Sequence, residues 1–255
     1  MTKLLDGKAI IITGASSGIG AATALRCARE GARLVLGGRD AARLRTIEGQ
    51  ITQSGGHAVA VTGDVTDPAH AARLVETAQE AHGGLDGAFN NAGAVGSGAT
   101  VAATAPQEWD RVLATNLTAA FHAARAQIPA LAERGGGALV FTGSFVGYTA
   151  TLPGMGAYAA AKAGLVGLCQ AIAVENGEQG IRANVLMPGG TRTAMAGDAL
   201  SNPDTAAFIA GLHALKRMAA PDEIAGAALF LLSEMASFVT GSALLADGGN
   251  SIAKV

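Results

Sequence analysis

Aromatic residues are scarce in this chain: one Trp, two Tyr and seven Phe make up 4% of 255 residues, while Gly alone numbers 36. A core of this composition suits helices packed closely on a sheet. Cysteine is nearly absent. Cys27 and Cys169 fall in stretches with helical character and lack the spacing of metal ligands or redox pairs, so they are expected to be buried thiols, and a reducing cytoplasm is the expected setting. Charge is sparse at 15% and nearly balanced, with a net value of −2. No basic stripe follows from that balance, which argues against nucleic acid as a partner. No stretch reaches the roughly 18 uninterrupted apolar residues of a membrane span. The first apolar run is short and follows Asp6-Gly7-Lys8, so it does not read as a signal peptide. Linkers, repeats and low-complexity segments are also missing, and the 49% hydrophobic content is enough for one large core over residues 1–255.

What is present begins with a short β-branched run, Lys8–Thr13, that flows into Thr13-Gly14-Ala15-Ser16-Ser17-Gly18-Ile19-Gly20 and then a helical stretch, Ala21–Glu30. A strand, a glycine-rich turn and a helix N-terminus form a phosphate cradle, because glycines let the backbone approach closely and free N–H groups attract an anion. The spacing is Gly-x-x-x-Gly-x-Gly. Taken alone such a turn also serves purely conformational ends.

Further strand-like runs at Arg33–Gly38, His57–Thr62, Leu85–Asn90, Ala138–Thr142, Ile181–Met187 and Ala243–Ala246 alternate with helical stretches near Ala41–Gln53, Pro68–His82, Pro106–Arg134, Ala157–Gly177 and Pro221–Ser233. This alternation predicts an α/β fold, a single-domain doubly wound parallel sheet of about seven strands with helices on both faces. Right-handed crossovers then bring the strand ends, and any ligand, to one carboxyl edge. The irregular segment 193–216 reads either as a lid over that edge or as a packed helical insertion.

Tyr158 and Lys162 stand four apart in a helical stretch, fourteen residues after Ser144, so phenol and ammonium share a helix face. A phenol titrates near ~10, and a cation about 4 Å away at an effective dielectric of roughly 20 favours its anion by up to ~4 kcal/mol. Such a phenol is poised for acid–base work near neutrality. The pair by itself reads more readily as a packed aromatic beside a solvated lysine, because helices bring residues four apart together regardless of function.

Taken together, Thr13–Gly20, Asp64, Asn90–Gly93, Asn116, Ser144, Tyr158/Lys162, Pro188–Thr193 and Asp247-Gly248-Gly249 fall in an order and at spacings that resemble the short-chain dehydrogenase/reductase family over nearly the whole chain. The resemblance implies a Rossmann-type fold and an oxidoreductase that interconverts a carbonyl and a secondary alcohol by hydride transfer. It implies that Tyr158 exchanges the proton, that Ser144 holds the substrate oxygen, and that Lys162 lowers the phenol pKa and binds the nicotinamide ribose. Asn116 is implied to mark a helix distortion that supports a water-mediated relay to the lysine; a locally bonded Asn is the plainer reading. Gly14, Ser16, Ser17, Gly18, Ile19 and Gly20 are implied to form the pyrophosphate turn, and Asp64 and Val65 to bracket adenine, although Asp64 also suits a cap of the next turn. Asn90, Ala92 and Gly93 are implied to approach the cofactor through their backbone, with Pro188, Gly189, Thr191 and Thr193 at its nicotinamide and phosphate side.

At the end of the second strand, Gly38 stands where an NAD enzyme usually places a carboxylate, and Arg39 follows. NADP(H) is therefore favoured, with NAD(H) the alternative should Arg39 only stack on adenine. Asp40 reads as the cap of the next helix. Val95, Phe145, Val146, Leu152, Met155, Gly190, Met195 and Phe208 suggest an apolar pocket for a hydrophobic ketone or alcohol, with Tyr148 and Arg192 expected to orient the substrate and His213 expected on the surface. No metal site is expected. The other readings are a 3-oxoacyl-(acyl-carrier-protein) reductase, with Arg125 and Arg134 as docking residues, and a non-catalytic dinucleotide sensor on the same fold. The family also implies a homotetramer, with a dimer as runner-up.

Overall fold

The computed structural model describes residues 3–197 and 201–253. Its frame is a sheet of seven parallel strands in the order β3-β2-β1-β4-β5-β6-β7. The strands are β1 Ala9–Thr13, β2 Arg33–Gly38, β3 His57–Thr62, β4 Gly87–Asn90, β5 Gly137–Thr142, β6 Ile181–Pro188 and β7 Ala243–Ala246. The helices are α1 Gly18–Arg29, α2 Ala41–Gln53, α3 Pro68–His82, α4 Pro106–Leu113, α5 Ala119–Glu133, α6 Gly156–Asn176, α7 Pro203–Gly211 and α8 Pro221–Leu232. Part of the expected lid, residues 198–200, lies outside the described residues.

Strand alternation divides the core into two layers. Ile10, Ile12, Leu34 and Leu36 point to one face, where they meet Ala24 and Cys27 of α1 and Ile224 and Ala228 of α8. Ile11, Val35, Leu139 and Phe141 point to the other face, against Leu74 of α3, Ala124 of α5 and Leu165 and Cys169 of α6. Each fully buried Ile or Leu contributes about 1.5–3 kcal/mol by leaving water. β1 pairs in parallel with both β2 and β4, so the chain winds outward to β3 and then returns across β1. That reversal opens a crevice at the carboxyl ends of β1 and β4.

Two departures from the expected elements matter. The stretch expected as one helix, Pro106–Arg134, is broken by a π-helical turn over Ala114–Thr118 that contains buried Asn116. One extra residue in the turn rotates the side chains that follow, a distortion that recurs at functional sites. The helical run Gly156–Gln179 is long and apolar enough to cross a membrane by length and composition. Ala161, Lys162, Leu165 and Cys169 are nevertheless buried, with the latter two in the core beneath the sheet, as in the central helix of a folded domain.

Candidate active site

A cleft of about 590 Å³ lies along the carboxyl edge. One end is built by the turn between β1 and α1. Gly14 takes a φ of +66°, and a Cβ there would come within 2.8 Å of the Asn91 Nδ2. Gly20 packs still closer, since a Cβ on it would strike the Gly14 carbonyl, so its role is to seat α1 on β1 rather than to face the cleft. Ser16, Ser17, Gly18 and Ile19 do line the cleft. The first turn of α1 carries no acidic side chain, and its leading N–H groups have no intrahelical acceptor, so this end attracts an anion.

Beyond the turn, Arg39, Asp64 and Val65 line the same end. The Asp64 carboxylate accepts from the backbone N–H of Thr66 at 2.9 Å and its hydroxyl at 2.8 Å. Those two bonds hold its pKa below the ordinary value, so it caps a turn and faces the cleft at once. Asp40 caps α2 by accepting from the Arg43 N–H at 3.0 Å, as expected. Arg43, which sequence reasoning passed over, also reaches the cleft and pairs with Asp40 at 3.3 Å.

Asn90 and Asn91 part company. Asn90 turns away from the cleft into a reciprocal amide pair with Gln127, at 2.9 and 3.1 Å. Asn91 faces the cleft, donates from Nδ2 to the Thr13 carbonyl at 3.2 Å and accepts from the Thr142 hydroxyl at 3.1 Å. Asn91 therefore ties the ends of β1 and β5 to the loop after β4, and Ala92 and Gly93 line the cleft beside it.

Deeper in, Ser144, Tyr158 and Lys162 share the cleft wall. The Ser144 Oγ accepts from the Val146 N–H at 3.1 Å, which leaves its hydroxyl proton to be donated to the Tyr158 oxygen. The Lys162 ammonium is 3% exposed, donates to the Thr142 carbonyl at 2.7 Å and lies 5.5 Å from the Tyr158 ring centre. Burial pushes its pKa down to about 8. Burial also pushes the Tyr158 phenol above its ordinary value, opposed by its hydrogen bond with Ser144. The expected lowering of the phenol by Lys162 is thus not produced by the protein side chains alone. The ammonium is bonded to a carbonyl and lies against the ring, and desolvation of the phenolate outweighs the Ser144 hydrogen bond.

Asn116 does not line the cleft but supports it. Its Nδ2 donates to the carbonyls of Ala94 at 2.8 Å and Val112 at 2.9 Å, and its Oδ1 accepts from the Ala94 N–H at 3.2 Å. Gly93 is needed here, because a Cβ would approach the Asn116 Oδ1 to 2.8 Å and the Lys162 Nζ to 3.3 Å. A void of about 20 Å³ bordered by Asn116, Thr142 and Lys162 has room and polar partners for one water.

The substrate side is apolar as expected. Val95, Phe145, Val146, Leu152, Met155, Gly190 and Met195 all line it, joined by Ile209, Leu212 and Met218. Pro188, Gly189, Thr191 and Thr193 form the opposite rim. Three expectations are overturned. Tyr148 and Arg192 are exposed and do not border the cleft, and Phe208 is 62% exposed, pointing outward from α7. His213 is not a surface residue: it is 2% exposed, lines the cleft and accepts from the Gly190 N–H. Asn250, near the C-terminus, also lines the cleft and had drawn no notice. No side-chain periodicity marks either residue, since both are brought in by loops.

Similarity to known proteins agrees with this geometry. The family model described as enoyl-(acyl carrier protein) reductase matches residues 14–251. The cyclohexanol dehydrogenase of Acinetobacter sp. (strain SE19) is 36% identical over 248 residues, covering 97% of this chain and 96% of that protein. The A-factor type gamma-butyrolactone 1'-reductase (1S-forming) of Streptomyces virginiae is 41% identical over 252 residues, covering 98% and 97%. Among solved structures, levodione reductase superimposes with a TM-score of 0.93 at 33% identity, over 98% of this chain and all of that one. A short-chain type dehydrogenase/reductase from Mycobacterium marinum gives the same score and identity over 99% and 98%. A parallel sheet, a glycine turn at its switch point, the Ser144, Tyr158 and Lys162 cluster and these relatives converge: the chain belongs to the short-chain dehydrogenase/reductase family, oxidoreductases that use NAD(P)(H) on small-molecule alcohols or ketones.

Proposed function

We propose that this protein interconverts an uncharged, hydrophobic ketone and its secondary alcohol, with Tyr158 as general acid and base and NADP(H) preferred over NAD(H). The observation that carries the reading is the meeting of Ser144, Tyr158 and Lys162 at one wall of an apolar cleft whose far end is an anion cradle.

The residues fit a nicotinamide dinucleotide. Gly14, Ser16, Ser17, Gly18 and Ile19 would hold the pyrophosphate, and Asp64 and Val65 the adenine. Arg39, with Arg43 beside it, would hold a 2′-phosphate, because Gly38 offers no carboxylate to repel one. Ala92, Gly93, Pro188, Gly189, Thr191 and Thr193 would enclose the nicotinamide half, and Lys162 its ribose. When bound, the dinucleotide supplies or accepts the hydride.

In the reducing direction, the Ser144 hydroxyl donates a hydrogen bond to the carbonyl oxygen in place of its bond to Tyr158, and stabilises charge as it develops there. Tyr158 delivers the proton that makes the alcohol, and in the reverse direction its phenolate takes that proton back. A positioned acid of this kind contributes about 10²–10⁴-fold. As the phenolate forms, the buried Lys162 cation against the ring favours its charge. With a pKa near 8, Lys162 is also suited to return a proton to the phenolate, and a water in the void beside Asn116 would resupply the lysine. Within segment 193–216, the described residues Met195, Ile209 and Leu212 would cover the substrate, whether the segment acts as a lid or as a packed insertion.

The expected acyl-carrier docking residues are not at the cleft: Arg125 and Arg134 lie on or just beyond α5 and neither borders it. Assembly as a homotetramer is supported by Phe121 of α5 and Val174 of α6, large apolar side chains 48% and 85% exposed on the long helices. The test is a titration of purified protein with NADPH and NADH, followed by ketone screening with the tighter ligand. Tighter NADPH binding and ketone-dependent NADPH oxidation are expected; absence of binding by either dinucleotide overturns the reading.

A further inference from the structure

Among the described residues, the turn after β7 brings an uncommitted polar side chain to the substrate side of the cleft. Phe145, Val146, Leu152, Met155, Met195 and Met218 make that side apolar. The charged residues on the cleft wall, Arg39, Asp40, Arg43 and Asp64, cluster at the adenosine end, and Lys162 is bonded to the Thr142 carbonyl. Of the other polar groups, Thr115 donates to the Arg111 carbonyl at 3.0 Å, Thr191 donates to the Gly189 carbonyl at 3.0 Å, both His213 nitrogens are bonded, and Thr193 is assigned above to the dinucleotide. Ser144 and Tyr158 are assigned to the reacting oxygen.

Asn250 differs from all of these. Its side chain is partly exposed, borders the cleft and makes no hydrogen bond with any described residue. Its backbone, by contrast, is held on every side. Buried Asp247 accepts from the N–H groups of Gly249 at 3.0 Å and Ser251 at 2.8 Å, and the Asp247 carbonyl accepts from Asn250 itself at 3.0 Å. The Gly248 carbonyl accepts from Leu215 at 3.1 Å, and the hydroxyls of Ser251 and Thr149 meet at 2.5 Å. A free amide on a fixed backbone in an apolar wall is the arrangement of a recognition group, since pockets select with few, well-placed polar atoms.

We infer that Asn250 is a specificity residue that binds a second, neutral oxygen of the substrate, so that the preferred substrate is a ketone or secondary alcohol with a hydroxyl or carbonyl elsewhere on an otherwise apolar body. This inference rests on the ketone and alcohol reading above. An amide offers two donors and one acceptor, so it pairs with either oxygen type. Among the described residues that line the cleft, the cations Arg39 and Arg43 lie at the adenosine end and Lys162 is bonded to the Thr142 carbonyl, so none of them is placed for a carboxylate or phosphate beside Asn250.

The test compares isosteric substrates: 3- and 4-hydroxycyclohexanone against 3- and 4-methylcyclohexanone, as kcat/KM ratios for the wild type, Asn250→Leu and Asn250→Ala. The wild type is expected to prefer the hydroxy ketone by about tenfold or more at one position, because leaving the amide unpaired against a methyl group is penalised. Both variants are expected to abolish or reverse that preference. Each ratio is internal to one enzyme sample, so partial misfolding of a variant does not move it. A wild-type ratio near one at both positions, or a preference that survives in both variants, overturns the assignment of Asn250 while leaving the carbonyl chemistry intact. Failure of the wild type to turn over any of the four ketones with either dinucleotide overturns the apolar-ketone reading itself, and this inference with it.

Discussion

The Nε2 of His213 accepts a hydrogen bond from the Gly190 N–H at 2.9 Å, while its Nδ1 lies 2.8 Å from the Ile209 carbonyl. The pair of bonds requires the neutral ring with its proton on Nδ1. One buried imidazole thus joins the last turn of α7 to the loop that follows β6. It also explains two small residues, since a Cβ on Gly189 or Gly190 would come within 2.8 or 2.9 Å of the ring.

His213→Leu leaves the Gly190 N–H unpaired, a loss of about 1–3 kcal/mol. The expected result is a rise in KM for both dinucleotide and ketone with a smaller change in kcat. His213→Gln, whose carbonyl oxygen supplies an acceptor near Nε2, is expected to recover most of the loss. Equal damage from both replacements would show that the ring is needed only for packing.

Tyr158→Phe removes the proton donor and keeps the ring. Turnover is expected to fall by at least 10²-fold while dinucleotide affinity, read by nicotinamide fluorescence, changes little. Turnover within a few-fold of the wild type would refute the assignment.

Lys162 provides a pH signature in the unliganded protein. Its pKa falls from 10.5 to about 8 on burial, so the folded state binds fewer protons than the unfolded state between those values. The unfolded chain then holds the extra proton, and stability rises with pH across that window. Below about pH 8 both states are charged, and the desolvation penalty of about 3 kcal/mol applies in full. Relative to Lys162→Met, the wild type is therefore expected to gain stability as pH rises from about 8 toward 10.5, measured by denaturant midpoints. A difference flat across the window would mean that the lysine keeps its ordinary pKa.

Dinucleotide choice can be reversed at one position. The nearest atoms a Cβ on Gly38 would meet belong to the Leu44 side chain, at 3.4 Å or more, so Gly38→Asp fits. It is expected to weaken NADPH by tenfold or more relative to NADH, through repulsion of the 2′-phosphate. Arg39→Ala is expected to weaken NADPH more than NADH, and Arg43→Ala to add to it. Equal losses for both dinucleotides would assign Arg39 to adenine stacking.

Much of this molecule is legible along the chain because the preferences involved act over a few residues. Ile10-Ile11-Ile12 makes a doubly buried strand, Gly14 supplies a positive φ, Asp40 caps a helix, and Tyr158 and Lys162 share a face through the helical repeat. Whether neighbouring side chains share an environment was not legible. Asn90 and Asn91 are adjacent, yet one is locked to Gln127 and the other organises the cleft, since successive residues leave a strand on opposite sides. Tyr158 and Lys162 were correctly paired, but the direction of the phenol pKa depended on how deeply the fold buries both groups and on the Thr142 carbonyl. His213 and Asn250 lie far along the chain from the residues they serve, and no local pattern brings them in. Local steric and hydrogen-bonding preferences decided the elements; desolvation and contacts distant in sequence, which exist only once the sheet has closed over its helices, decided the chemistry of the cleft.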